Sequence, residues 1–267
     1  MENQNLAGIP IQNTKNSGYD HTRWEIRRRF LRFLLRTIGM TLLVKLDSVE
    51  GLENIPPEGP ALLYINHIAF VDPIIVLHVL PRQIVPLAKI EVYDYPLVGI
   101  FPRLWGVIPV RREEVDRRAV QQILEVLKAG EIVLVAPEGT RRPALSQAKE
   151  GIAYLASRTG VPLIPVAVEG TVGFPAFRLS ARWRQPGARI RIGQPFRYRP
   201  EFSRPSKEQL RVMTDEAMYI LAALLPPPLR GDYADLAKAT QTTIEFISPT
   251  LFQESPPATA QNLQKVF

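Results

Sequence analysis

Ala61-Leu-Leu-Tyr-Ile65-Asn66-His67-Ile-Ala-Phe-Val-Asp72-Pro73-Ile-Ile-Val-Leu77 passes from an unbroken apolar run, through a polar turn, into a second apolar run headed by Asp-Pro. Five consecutive apolar residues suit a strand buried on both faces. Asp72-Pro73 reads as a helix start, with Asp at the N-cap and Pro at the first helical position. His67 then lies in the loop between strand and helix, at the sheet edge where α/β proteins place ligands. On one continuous helix, residues five apart would point about 140° away from each other. A loop-to-helix turn removes that obstacle and lets His67 fold back onto Asp72. A carboxylate on one ring nitrogen fixes the tautomer and leaves the other nitrogen to accept a proton.

The same grammar recurs on either side. Ile84–Ala88, Gly106–Val110, Ile132–Ala136 and Pro162–Val168 read as buried strands, and Ala188–Ile192 alternates as a half-exposed one. Pro73–Leu80, Arg117–Lys128, Lys149–Thr159 and Pro205–Leu225 carry helical patterns between and after them. Alternating strands and helices predict an α/β fold: a single core domain whose largely parallel or mixed sheet is flanked by helices. The expected organisation is a disordered lead-in over 1–20, a basic amphipathic helical arm over 21–48, the core domain over 49–235 and a peripheral C-terminal tail over 236–267. Pro165, inside a strand pattern, predicts an edge or bulge.

The 267 residues carry a net charge of +7 and no cysteine, which excludes disulfides, thiolate metal sites and a cysteine nucleophile. The first twenty residues lack a basic start followed by an apolar run, so no secretory signal is read there. Six arginines (23, 27, 28, 29, 32 and 36) against Glu25 give the arm +5. On a helical wheel Arg28, Arg29, Arg32 and Arg36 share one sector, with Ile26, Phe30, Phe33, Leu34 and Ile38 on the remaining arc. That pattern predicts an interfacial helix on an anionic membrane, with arginines at the headgroups; nucleic acid is not the expected partner. The plainer alternative is a helix that caps the protein's own core and turns a solvated arginine face outward. No segment reads as spanning: Gly59–Pro81 is long enough but holds Asp72, and an Asp at mid-bilayer costs about 2.5–3.5 kcal/mol.

A second loop, Ala136-Pro137-Glu138-Gly139-Thr140-Arg141-Arg142, also follows a buried strand. Glycine permits close backbone approach to a ligand, and arginine forks suit phosphate; a solvated polar turn accounts for the segment alone equally well. Gly106-Val-Ile-Pro-Val-Arg111-Arg112 repeats the strand-ending-in-arginine pattern. His21, in the polar lead-in, and His78, in an apolar run, are poor candidates for a base.

Taken in order, Asn66–Asp72 (N-H-x4-D), Gly106–Arg112, Pro137–Arg141 (P-E-G-T-R) and Val161–Val166 (V-P-L-I-P-V) resemble the blocks of the glycerolipid acyltransferase family, the lysophosphatidate acyltransferases and their relatives. The likeness extends to Ala88-Lys89 and Leu224–Tyr233 and covers roughly residues 49–233. It implies His67 as general base with Asp72 orienting it, and Glu138, Gly139, Arg141 and Arg112 around a glycerol-phosphate acceptor. Thr140, Arg111 and Lys89 complete the expected substrate-binding set. It also implies acyl transfer to lysophosphatidic acid, or to another lysophospholipid or lipid alcohol. Acyl-CoA or acyl carrier protein would be co-substrate, with no separate cofactor and no metal. The expected setting is peripheral or monotopic, on the cytoplasmic membrane face. Ala69, Pro109, Arg111, Ala136 and Arg142 depart from common family residues, and the extra charge at Arg111 and Arg142 bears on which headgroup is accepted. A serine hydrolase finds no G-x-S-x-G elbow, and a purely binding protein leaves the ordered strand-end motifs without a purpose.

Overall fold

The computed structural model describes residues 21–96, 99–111 and 116–248. Among them, nine strands form one mixed sheet: β1 (Leu46–Glu50), β2 (Ala61–Ile65), β3 (Ile84–Lys89), β4 (Ile108–Val110), β5 (Ile132–Val135), β6 (Leu163–Glu169), β7 (Ala188–Ile192), β8 (Phe196–Tyr198) and β9 (Ile244–Phe246). The helices are α1 (His21–Leu34), α2 (Met40–Leu43), α3 (Asp72–Val79), α4 (Ile100–Trp105), α5 (Arg117–Lys128), α6 (Gly151–Thr159) and α7 (Lys207–Ala223). Strand order is β1-β7-β6-β2-β5-β3-β4, with β8 on β6 and β9 on β8. The block β6-β2-β5-β3-β4 is parallel, so those five carboxyl ends share one edge. β7 runs antiparallel to β6 and parallel to β1.

Alternation along the strands divides the core in two. Leu62, Tyr64, Val85 and Val133 face α5, α6 and α7. Leu63, Ile65, Ile84 and Ile132 face α3, α4 and the end of the arm. Helices on both faces explain why the parallel strands read as continuous apolar runs rather than alternating ones.

Several local expectations are corrected. β1 lies in the residues assigned to arm and linker, and β8, β9 and α4 are too short to show a period. The segment after Ala237 is not peripheral as far as Ser248: Thr240, Thr242 and Thr243 hydrogen-bond Glu216 of α7, and β9 pairs with β8. Burial would raise the Glu216 pKa, but these bonds, with Thr243 first, bring it below the ordinary glutamate value. Residues 249–267 and the lead-in 1–20 fall outside the described residues. Pro165 sits in an interior strand, yet at a break in its ladder. β7 pairs from Val166 onward and β8 at Leu163, so the Pro165 carbonyl meets only Gly193 N–H and its ring nitrogen needs no acceptor.

The arm is helical but turned the other way round. Arg28 is fully buried, paired to Glu131 at 2.8 Å and donating to the carbonyl of Trp105. Arg32 donates to Pro81, and Arg36 to His78 and Leu80. Leu31 and Leu35 share this inward stripe. Ile26 (79% exposed), Phe30 (62%) and Phe33 (61%) face out instead. The reason lies at the ends of α3 and α4, whose last carbonyls have no intrahelical partner. Arginine forks satisfy them and complement the helix dipoles. Arg27, Arg29 and Arg36 nonetheless stay exposed, Arg29 paired with Glu25, so that burial falls on Arg28 and Arg32. The side chains of Arg23 and Ile38 lie outside the description. A π-turn over Leu35–Gly39 rephases the helix, so that Met40 and Val44 enter the core.

Removing one partner of a buried ion pair strands the other. Arg28→Ala should therefore cost about 3–5 kcal/mol in urea unfolding, and combining Arg28→Met with Glu131→Leu should recover most of it.

Candidate active site

The site begins where β2 stops pairing. Asn66, buried, takes the place of a backbone residue in the ladder: its side-chain oxygen accepts from Val168 N–H (2.7 Å) and its amide donates to Val168 O (2.8 Å). The main chain is thereby released at His67 and turns. Asp72 closes that turn from inside. Its Oδ2 accepts from the backbone N–H of Ile68 and Ala69, both at 2.7 Å, and stands 3.1 Å from His67 Nδ1. The carboxylate is completely buried, whereas the imidazole is partly open. Asp72 thus does not cap its own helix, as its place before Pro73 predicts; the cap position falls at Val71, and the carboxylate reaches back instead. With Nδ1 donating to Asp72, Nε2 keeps its lone pair.

The loop after β5 lies alongside. Gly139 adopts φ +70°, a left-handed conformation open to glycine, and closes a turn with Ala136. Glu138 is buried. Its Oε1 accepts from Ser146 N–H (2.7 Å) and Ser146 Oγ (3.0 Å). Burial pushes its pKa up, opposed by those hydrogen bonds and by the neighbouring imidazole. Arg142 N–H donates to His67 O at 2.8 Å. That bond joins the two loops, so Thr140, Arg141 and Arg142, all exposed, lie next to the histidine loop.

Other expected residues sit farther along the same edge. Lys89 ends β3, two strands from β2 and so about 10 Å away, and it pairs with Glu91 at 2.8 Å. Arg111 directly follows β4, with its backbone held by Asp116, which also caps α5. Arg112 lies outside the described residues. Glu138, which the resemblance implies lies around the acceptor, has Oε1 committed to Ser146.

Ser146 and Asp232 were not legible as site residues. Asp232 accepts from Gln147 N–H (3.0 Å) and donates its own N–H to Leu145 O (3.0 Å). A Cβ at Gly231 would collide with that same carbonyl, which accounts for the glycine. The Leu-Arg-Gly-Asp-Tyr segment therefore clamps the strap that holds Ser146 against Glu138. Their sequence separations follow no period, so only coordinates join them.

A family model described as acyltransferase matches residues 48–169. The 1-acyl-sn-glycerol-3-phosphate acyltransferase of Bacillus subtilis is 30% identical over 170 residues, 63% of this chain and 82% of its own. The chain belongs to the glycerolipid acyltransferase family. A chloroplast protein of the same description from Brassica napus is 32% identical over 155 residues, 54% of this chain and 44% of its own. This chain thus spans less than half the length of that plant relative. The crystal structure of the 1-acyl-sn-glycerophosphate acyltransferase PlsC from Thermotoga maritima matches with a TM-score of 0.56 at 26% identity, covering 78% of this chain and 83% of that one.

Glu138→Gln keeps an acceptor for Ser146 and removes the charge that burial disfavours. A raised carboxyl pKa means that the native state loses stability as pH climbs through it. The variant should therefore gain stability relative to the parent over that rise and match it well below, as read by urea unfolding at a series of pH values.

Proposed function

We propose that this chain transfers a fatty acyl group from acyl-CoA or acyl carrier protein to the free hydroxyl of 1-acyl-glycerol 3-phosphate. The observation that carries the reading is the His67–Asp72 contact at the edge where the parallel strands end. In this reading Nε2 of His67 takes the hydroxyl proton as the oxygen attacks the thioester carbonyl. The tetrahedral intermediate expels the thiolate, which takes that proton from the imidazolium and leaves as the free thiol. Asp72 holds the ring and stabilises its charged form. No covalent acyl-protein intermediate and no cofactor is called for. Arg141, on the loop bonded to the His67 turn, is the natural anchor for the acceptor phosphate, a planar fork matched to its oxygens. The descriptions of the relatives name the same acceptor class.

His67→Ala should lower transfer about 10²–10⁴-fold while thermal unfolding stays that of the parent. Full activity in that variant would overturn the mechanism. A panel of lysophospholipids and lipid alcohols against one thioester tests the acceptor.

The exposed face of α1 supports association with a membrane, through apolar insertion more than through arginine. Ile26, Phe30 and Phe33 point away from the core, whereas Arg28 and Arg32 are consumed inside it. Replacing Phe30 and Phe33 with Ser should weaken vesicle binding at high as well as low salt, because burial of apolar surface is not screened. Co-sedimentation in a salt series checks this.

A further inference from the structure

We propose that the loop 170–187 is a second, independent membrane-insertion element beside the site, with Phe177 and Leu179 entering the acyl boundary of an anionic bilayer. This rests on the lipid-acceptor reading above and names a further surface through which such a protein meets its lipid.

The loop leaves β6 and returns at β7, so both its ends lie on the edge that carries His67. Its own side chains brace it. The Arg182 guanidinium donates to the carbonyls of Gly170, Val172 and Pro186 and lies 3.9 Å from the centroid of the Phe174 ring. Trp183 Nε1–H donates to Ala176 O, and Ser180 N–H to Phe177 O. A loop so braced has inward positions to offer its large apolar residues, and Phe174 takes one. Phe177 stands 76% exposed and Leu179 96%, with Val172 also outside. Single exposed apolar residues are ordinary; three held outward by one pinned segment at a site edge form a surface.

Charge selects the occupant. Residues 170–187 hold Arg178, Arg182 and Arg184 and no acid. Arg182 is spent on bracing, while Arg178 and Arg184 are exposed and flank the apolar tip. Apolar side chains set among arginines match the boundary between acyl chains and anionic headgroups. A second copy seated here would bring like charges together and is disfavoured for that reason. The loop is also continuous with the arm, since Ala176 N–H donates to Leu43 O at 2.8 Å.

The test uses the full chain and phosphatidylcholine–phosphatidylglycerol vesicles. Phe177→Ser with Leu179→Ser should lower the partition coefficient by roughly tenfold or more, from the apolar area withdrawn. Arg178→Ala with Arg184→Ala should weaken binding to these vesicles but not to pure phosphatidylcholine. Both pairs lie on the surface, so thermal unfolding should not move. Vesicle binding equal to the parent's in the Phe177/Leu179 variant overturns the proposal. So does a parent dimer, seen by light scattering, that the same variant dissolves without loss of vesicle binding. Acyl transfer to lysophosphatidate dispersed in detergent should be unchanged in that variant and reduced when the acceptor is embedded in vesicles. A parent with no transfer in detergent would defeat the catalytic reading while leaving the vesicle result to judge this one.

Discussion

One carboxylate oxygen gathers the chain around the site. Asp72 Oδ2 takes the N–H groups of Ile68 and Ala69 together with His67 Nδ1, so a single buried acceptor fixes both the path of the loop and the direction of the ring. Buried charge is costly unless hydrogen-bonded, and the arrangement offsets that cost at Oδ2 with donors the loop already owns, while Oδ1 is buried without a hydrogen-bond partner among the described residues. A non-polar side chain at residue 72 would leave the three donors with no acceptor. The neighbouring loop repeats the device, with Glu138 holding the backbone N–H and hydroxyl of Ser146. Two inward carboxylates thus brace two loops, which Arg142 N–H joins at His67 O beside an open edge.

The arm shows the opposite use of charge. A helix-wheel argument gives polar residues to water, and for α1 that assignment inverts because the folded core presents acceptors of its own. The ends of α3 and α4 expose carbonyls, and Glu131 waits beneath them. Arginine is long enough to reach them, and Leu31 and Leu35 pack on the core from the same helix. Phe30 and Phe33 are left on the outside.

Much of the sheet was legible because buried parallel strands write themselves as apolar runs. β2, β3, β5 and β6 fall within a residue or so of their sequence-read limits, and α5 matches its own. The His67–Asp72 pair was legible too, since strand, turn and Asp-Pro helix start come in immediate succession. What escaped were elements of three to six residues, such as β8, β9 and α4, which are shorter than any period that could reveal them. Also hidden were partners joined only by folding, such as Glu131 for Arg28 and Asp232 for the strap at Ser146. The N-cap reading of Asp72 failed because local propensity counts only the helix ahead, while the loop behind made the stronger claim.

Glu216 has a bearing on where this fold ends. Its carboxylate, at the middle of α7, is held in its charged form by hydroxyls and N–H groups from Thr240, Thr242 and Thr243. A chain trimmed at residue 235, where the helical pattern and family likeness fade, would leave an orphaned anion against Tyr198 and the core beneath. The last hydrophobic layer under α7 is sealed by a threonine ribbon that no hydropathy profile would mark as indispensable. The carboxylate inside α7 thus ties the stability of this helix to the chain as far as Thr243.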